Sequence, residues 1–211
     1  ITPDKDRSFV FCADTASWFL TADDFTACPF SAPCIFYIES YLLQMRGGEQ
    51  GSNLLEYVLQ QAQQNPQSIT ALNINDIDLV HQFKDRLHKH LNQTGIIFGN
   101  RQEYAALFGA AYGSTEFWDH AKTLSRKHKT IFVMTGGQDE IHIIEHGEVA
   151  HIDVPQIPSA KIVDTIGAGD HFAAAFLLNH AQGRPVKECC EAGISAAQHI
   201  LLQAGPRLKR E

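Results

Sequence analysis

No run of apolar residues in the 211-residue chain is long enough to span a bilayer. Its first residues lack the sequence of basic group, apolar stretch and small-residue cleavage site that marks a secretory leader. Cysteine is sparse and unpatterned. Cys12, Cys28, Cys34, Cys189 and Cys190 form an odd set with no C-x-x-C spacing, for which a reduced, cytoplasmic setting fits. Cys189 and Cys190 lie in a helical stretch and read as buried small apolar residues. Positive charge is also in deficit. The formal net charge is −7, which opposes nonspecific binding to nucleic acid or an anionic membrane. It leaves open a phosphate site built from backbone N–H groups. Repeats and low-complexity tracts are absent, and charged residues make up 19% against 44% hydrophobic. That balance excludes a disordered chain, and the length suits one domain with a sizeable core.

What is present alternates between strand and helix patterns. Ser8–Leu20 reads as a strand or hairpin, with Phe9, Phe11 and Ala13 against polar neighbours, and Ile35–Tyr41 as an apolar, aromatic strand. Ser52–Asn65 reads as a helix capped by Ser52 or Asn53, with Leu54, Leu55, Val58, Leu59 and Ala62 on one face. A short strand is expected over Ser68–Ile74, then a helix over Ile77–Leu91 with Leu79, Val80, Phe83, Leu87 and Leu91 inward. Gly95–Gly99 is a strand ending at Asn100, followed by a short helix through Leu107 and a longer one over Ser114–Lys127. Thr130–Thr135 is a buried strand, Glu140–Val154 a hairpin turning at Gly147, and Lys161–Val163 a short strand. Gly169–Ala181 and Val186–Gln203 close the chain as helices. The alternation implies a doubly wound α/β fold around a mostly parallel sheet, with ligands beyond the C-terminal ends of the strands.

The sharpest chemistry is in Asp164-Thr165-Ile166-Gly167-Ala168-Gly169-Asp170, followed by the Ala/Phe-rich stretch His171–Phe176. A strand runs into a turn of small residues that opens a helix. Small residues let a ligand approach the backbone, and the free N–H groups and dipole of the first helical turn favour an anion. A carboxylate at Asp170 beside such an anion hole could take a proton from an attacking hydroxyl, the combination that phosphoryl transfer needs. The plain alternative is a glycine turn with Asp170 as a helix cap. A dinucleotide fingerprint fails because its third glycine position is Phe172, and a Walker loop fails because no Gly-Lys pair occurs.

Asp164–Asp170 with the helix after it closely resembles the D-T-x-G-A-G-D signature of the ribokinase (PfkB carbohydrate and nucleoside kinase) family. Further segments resemble that family in the same order. Phe98–Glu103 is similar to its N-x-x-E motif, Val133–Gly137 to its V-x-T-x-G strand end, and Tyr37–Leu42 and Ile1–Asp4 to segments of the adenosine-kinase-like branch. The resemblance implies a ribokinase-like fold, with residues 1–211 as the larger, C-terminal part of a single domain. It also implies that the N-terminal segment and most of the lid are absent. It implies Asp170 as general base, the backbone of Gly167, Ala168 and Gly169 as anion hole, and Thr135 and Gly137 along the ATP. Asn100 and Glu103 would organise Mg²⁺ and phosphates, through water. Asp164 and the carbonyls near Thr165 and Ile166 would help hold a monovalent cation, K⁺ in many members. Each has a plain reading too: Asn100 as a helix cap, Glu103 as a first-turn acid, Thr135 with Gly137 as a turn.

Two departures stand out. Glu140 occupies a usual glycine position and is expected to point away from phosphates, and His171 follows the base and is expected to be a solvated helix residue. His142, His146 and His151 look like a metal cluster on paper, but on an alternating hairpin they need not converge, and no zinc site is expected from them. The function implied is ATP-dependent phosphoryl transfer to a hydroxymethyl group of a small-molecule nucleoside, adenosine-like by the branch. The alternatives are a sugar acceptor such as ribose or fructose, and a non-catalytic nucleotide-binding fragment. Nucleic acid and membrane are not expected as partners, and a homodimer is compatible with the pattern.

Overall fold

The computed structural model describes residues 16–28, 30–44 and 54–208. They fall into two compact units, one reaching to His151 and the other running from Ile152 onward. The first unit is built on a six-stranded sheet in sequential order: β1 (Ile35–Glu39), β2 (Ile69–Asn73), β3 (Ile96–Asn100), β4 (Ile131–Thr135), β5 (Ile141–Glu145) and β6 (Glu148–Ile152). The pairs β1–β2, β2–β3 and β3–β4 are parallel and β4–β5 is antiparallel, giving a mixed α/β sheet that is flanked by helices. The register places Ile38, Leu72, Ile97, Phe132 and Ile144 in one row across the sheet, all in the buried core. Strands β3 and β4 are buried at every position but the last, the near-continuous apolar run of central parallel strands.

Between the strands run α1 (Leu54–Ala62), α2 (Ile77–His90), α3 (Arg101–Phe108) and α4 (Thr115–His128). Helix α1 buries Leu54, Leu55, Val58, Leu59 and Ala62, the face anticipated from its spacing. At nine residues it is too short to persist alone in water. Burial of its three leucines and valine, worth roughly 1.5–3 kcal/mol for each full side chain, holds it in place. Asp76 caps α2 by accepting the Asp78 N–H, and Ser114 caps α4 by accepting the Phe117 N–H. Phe83, expected inward on a straight helix, sits instead at a kink in α2 and is only partly buried. Tyr104, Phe108, Phe117 and Phe132 pack edge-to-face or tilted beneath α3 and α4. The buried Tyr104 hydroxyl donates to the Ile97 carbonyl at 2.6 Å.

The second unit contains α5 (Ala168–Ala181) and α6 (Val186–Leu201). They pack so closely that a Cβ on Gly193 would meet the Phe172 ring at 2.7 Å. Cys189 and Cys190 are fully buried in α6, as expected of small apolar residues. The strand expected over Lys161–Val163 is not formed. Ser159–Lys161 is a 3-10 turn, and the Val163 N–H donates to the Leu201 carbonyl at the end of α6 rather than to a neighbouring strand. In the first unit, Ala16–Phe19 is likewise a 3-10 turn where strand alternation was expected, and β1 ends at Glu39 because Ser40–Leu43 turns into a 3-10 helix. Ser8–Thr15, the Ile1–Asp4 segment and the Ser52 and Asn53 caps lie outside the described residues. Among the described residues no helix is long and apolar enough to cross a membrane.

Candidate functional site

In the second unit, Gly167 is the N-cap of α5 with φ +80, a left-handed conformation that glycine adopts without the steric cost other residues bear. A Cβ there would also strike Pro206, at 2.9 Å from its Cβ and 3.1 Å from its Cα. The first intrahelical bond of α5 is His171 N–H to the Gly167 carbonyl at 2.9 Å. The amides of Gly169 and Asp170 therefore open the helix without an intrahelical acceptor. A Cβ on Gly169 would meet nothing within 4 Å, and both Gly169 and Asp170 are exposed. The turn thus presents N–H donors, the positive end of a fourteen-residue helix and a carboxylate in open space. His171 is not the solvated residue expected. It is half-buried, and its Nδ1 lies 2.9 Å from the Gly167 carbonyl, so the ring folds back over the start of the helix.

Asp164, almost fully buried, fixes the approach to that turn. Its Oδ1 accepts the Ile166 N–H at 3.0 Å and its Oδ2 accepts the Gly205 N–H at 3.1 Å. Those bonds make Asp164 a clamp between the signature loop and the segment after α6. The Thr165 carbonyl receives a long contact from the Ala168 N–H at 3.4 Å.

In the first unit, the C-terminal ends of the parallel strands carry Glu39, Asn73, Asn100 and Thr135. Asn100 and Glu103 form a complete capping box. Asn100 Oδ1 accepts the Gln102 and Glu103 amides, each at 2.9 Å. Glu103 Oε2 accepts the Asn100 N–H at 2.8 Å, and Oε1 accepts Asn100 Nδ2 at 2.7 Å. The fold-back needs Gly99, since a Cβ there would lie 3.1 Å from Glu103 Oε2 and 2.9 Å from Ile74 Cδ1. Burial pushes the Glu103 carboxyl up, the Asp76 charge adds to that, and the Asn100 N–H pulls it partly back; the net shift is upward. The Thr135 hydroxyl donates to the Gly99 carbonyl at 3.3 Å, and Gly137 lies with φ +70 in the turn after β4.

Sequence reasoning did not single out Arg101. Its guanidinium donates to Asp139 at 3.0 Å and to the Glu140 carbonyl at 3.2 Å, and it lies 5.2 Å from the centre of the Tyr112 ring. It therefore ties the start of α3 to the turn that follows β4. The Tyr112 hydroxyl lies 2.7 Å from His142 Nδ1. Glu140 turns its carboxylate toward the hairpin histidines, at 3.4 Å from His142 Nε2 and 3.7 Å from His151 Nδ1. His146 lies in the hairpin turn and is exposed. So two of the three histidines do converge, with Glu140 as the third member. The signal was in the turn: His146 and Gly147 both have positive φ, the two-residue type that pairs Glu145 with Glu148 and hence His142 with His151.

Against known proteins, the chain matches the pfkB family carbohydrate kinase description over residues 1–211. The chain belongs to that family. It is 29% identical over 182 residues to adenosine kinase 1 of Arabidopsis thaliana, covering 81% of this chain and 50% of the relative. It is 29% identical over 122 residues to the cytidine kinase of Thermococcus kodakarensis, covering 58% of this chain and 42% of that one. Among solved structures, adenosine kinase from Sinorhizobium meliloti superposes with a TM-score of 0.76 at 25% identity, over 90% of this chain and 56% of that chain. The chain spans about half the length of the curated relatives it matches. Family and branch thus agree with the motif resemblance.

Proposed function

We propose that this protein acts in ATP-dependent phosphoryl transfer to a hydroxymethyl group of a nucleoside, with an adenosine-like acceptor favoured. The observation that carries the reading is the turn opening α5. Gly167 sets a left-handed cap, the amides of Gly169 and Asp170 are free of intrahelical partners, and the Asp170 carboxylate is exposed among them. In this reading Asp170 takes the proton from the acceptor hydroxyl as it attacks. The backbone of Gly167, Ala168 and Gly169 stabilises charge on the transferred group, which for phosphoryl transfer is most of catalysis. Asp164 acts by position: clamped to Ile166 and Gly205, it holds the loop so that the amides stay aimed. With its oxygens so engaged, the Thr165 and Ile166 carbonyls become the better donors for a monovalent cation such as K⁺.

Thr135 and Gly137 are assigned to ATP by the family resemblance, and Asn100 and Glu103 to Mg²⁺ and phosphates. The buried, capped Glu103 carboxylate fits a water-mediated role better than direct ligation, because its oxygens already accept from Asn100. Bound Mg²⁺ would supply charge neutralisation on the phosphates. The adenosine and cytidine kinase relatives support a nucleoside acceptor. A sugar is the second reading, favoured by the carbohydrate-kinase description of the family.

The test is ADP release from Mg-ATP with K⁺ across a panel of nucleosides and sugars. Turnover with one nucleoside is expected, reduced by about 10²–10⁴-fold in Asp170→Asn with Mg-ATP binding retained. Turnover only with a sugar would replace the acceptor. An unchanged rate in Asp170→Asn would remove Asp170 from the mechanism. Nucleotide binding without turnover on any acceptor would reduce the protein to a nucleotide-binding role.

A further inference from the structure

The hairpin cluster is unused by the kinase reading and has the chemistry of a metal site. Glu140, His142 and His151 each offer one ligand atom, and the three atoms lie within 4.8 Å of one another. Glu140 immediately precedes β5, two residues before His142 and on its side of the hairpin, and His151 lies opposite His142 on β6. Glu140 Oε1 lies 3.4 Å from His142 Nε2 and Glu140 Oε2 lies 3.7 Å from His151 Nδ1. A tetrahedral ion with bonds of about 2.0–2.2 Å has its ligand atoms roughly 3.3–3.5 Å apart. The two carboxylate–imidazole separations are close to that, and side-chain rotation has to bring the three ligand atoms, now within 4.8 Å, in to it.

The surroundings prepare His142 as a ligand. Its ring is buried, at 3% exposure, and held between Trp118 and Tyr112, with ring centres at 5.0 and 5.8 Å. The Tyr112 hydroxyl, 2.7 Å from Nδ1, holds the ring from its far side and leaves Nε2 turned toward the Glu140 carboxylate. In the tautomer with the proton on Nδ1, accepted by Tyr112, the Nε2 lone pair is the one a cation would take. Glu140 and His151 are partly exposed, at 45% and 58% of their side chains, which leaves room for water to complete the coordination. The two-histidine, one-carboxylate set suits a borderline cation rather than Mg²⁺ or Ca²⁺, which prefer all-oxygen sites.

We infer that Glu140, His142 and His151 bind one Zn²⁺ ion at the surface of the β5–β6 hairpin, with Tyr112 as the outer partner of His142. The ion would also anchor Glu140, whose backbone carbonyl and neighbour Asp139 are held by Arg101. It would thereby brace the turn after β4.

The probe is Co²⁺ alone, added to the metal-stripped protein and followed by visible absorption. Four-coordinate Co²⁺ absorbs strongly in the visible, and aqueous six-coordinate Co²⁺ does not. One equivalent should give the four-coordinate band, and Zn²⁺ should displace it. His151→Ala and Glu140→Gln, both at exposed positions, should abolish it. Tyr112→Phe should weaken Co²⁺ affinity by about 10–100-fold while keeping the band. His146→Asn, in the turn outside the cluster, should leave affinity and spectrum unchanged. Absence of the band at one equivalent would overturn the assignment, as would a band that survives in His151→Ala and Glu140→Gln.

Discussion

The two glycines of the signature turn are alike in sequence and opposite in physical role. Gly167→Ala forces a side chain into a backbone at φ +80, which costs about 1–2 kcal/mol for an L-residue. Its Cβ would also meet Pro206 at 2.9 and 3.1 Å, and relieving an overpacked contact of that kind costs about 1–3 kcal/mol. Together the loss is roughly 2–5 kcal/mol, a fall in Tm of about 4–20 °C for a chain of this size. Gly169→Val, two residues on, enters the helical region with nothing within 4 Å of its Cβ. Valine is a slightly better helix former than glycine, so stability should stay within about 0.5 kcal/mol. Phosphate approaching the first-turn amides would, however, meet two new methyl groups. Thermal unfolding and calorimetric titration with Mg-ATP separate the two effects. The expected pattern is a large Tm loss for Gly167→Ala, and for Gly169→Val an unchanged Tm with nucleotide affinity down at least tenfold. Unchanged affinity in Gly169→Val would place the phosphate elsewhere. An unchanged Tm in Gly167→Ala would show that the loop yields where the geometry says it cannot.

Two further outcomes follow from buried titratable groups. Glu103 has its pKa raised by burial and by the Asp76 charge, against the pull of the Asn100 N–H. Its contribution to stability is therefore complete below the unfolded carboxylate range and is lost as pH rises through the folded pKa. Glu103→Gln removes that titration and keeps a capping acceptor. Denaturant unfolding as a function of pH should show the variant gaining on the natural chain from the carboxylate range toward neutrality, and a gap moving the other way would refute the cause assigned. Burial pushes the Cys190 thiol up to about 12, and both Cys189 and Cys190 are fully buried. A thiol reagent at neutral pH should label the partly exposed Cys28 and Cys34 in the native protein and reach Cys189 and Cys190 only after denaturation. Peptide mapping that found native-state labelling of Cys190 would contradict the packing of α6.

Local features were legible in the sequence because their causes are local. The face of α1 follows from the spacing of Leu54, Leu55, Val58, Leu59 and Ala62, and burial obeys it. Asn100 and Glu103, three residues apart after a strand, dictate a capping box, and all its bonds form. The same logic marked Cys189 with Cys190 as buried and the small-residue turn as the start of a helix, although the cap is Gly167 and not Asp170, which lies inside the first turn. Family membership rested on motif order, which survives without any knowledge of contacts.

What the chain could not announce depends on residues far apart. Lys161–Val163 has the composition of a strand, but a strand needs a partner, and the Val163 amide finds the end of α6 instead. That Asp164 also clamps the signature loop to Gly205, 41 positions later, is visible only once the chain is folded. Pro206 makes Gly167 sterically obligatory, where the turn alone would only have favoured it. The hairpin is the sharpest contrast. Alternation assigns faces but not register, and only the turn at His146 and Gly147 brings His151 opposite His142 with Glu140 beside them. Sequence therefore determined which elements form and where the signature lies, through short-range sterics and hydrogen bonding. Tertiary structure decided which side chains share a ligand's space, because that depends on where distant backbone groups are brought to rest.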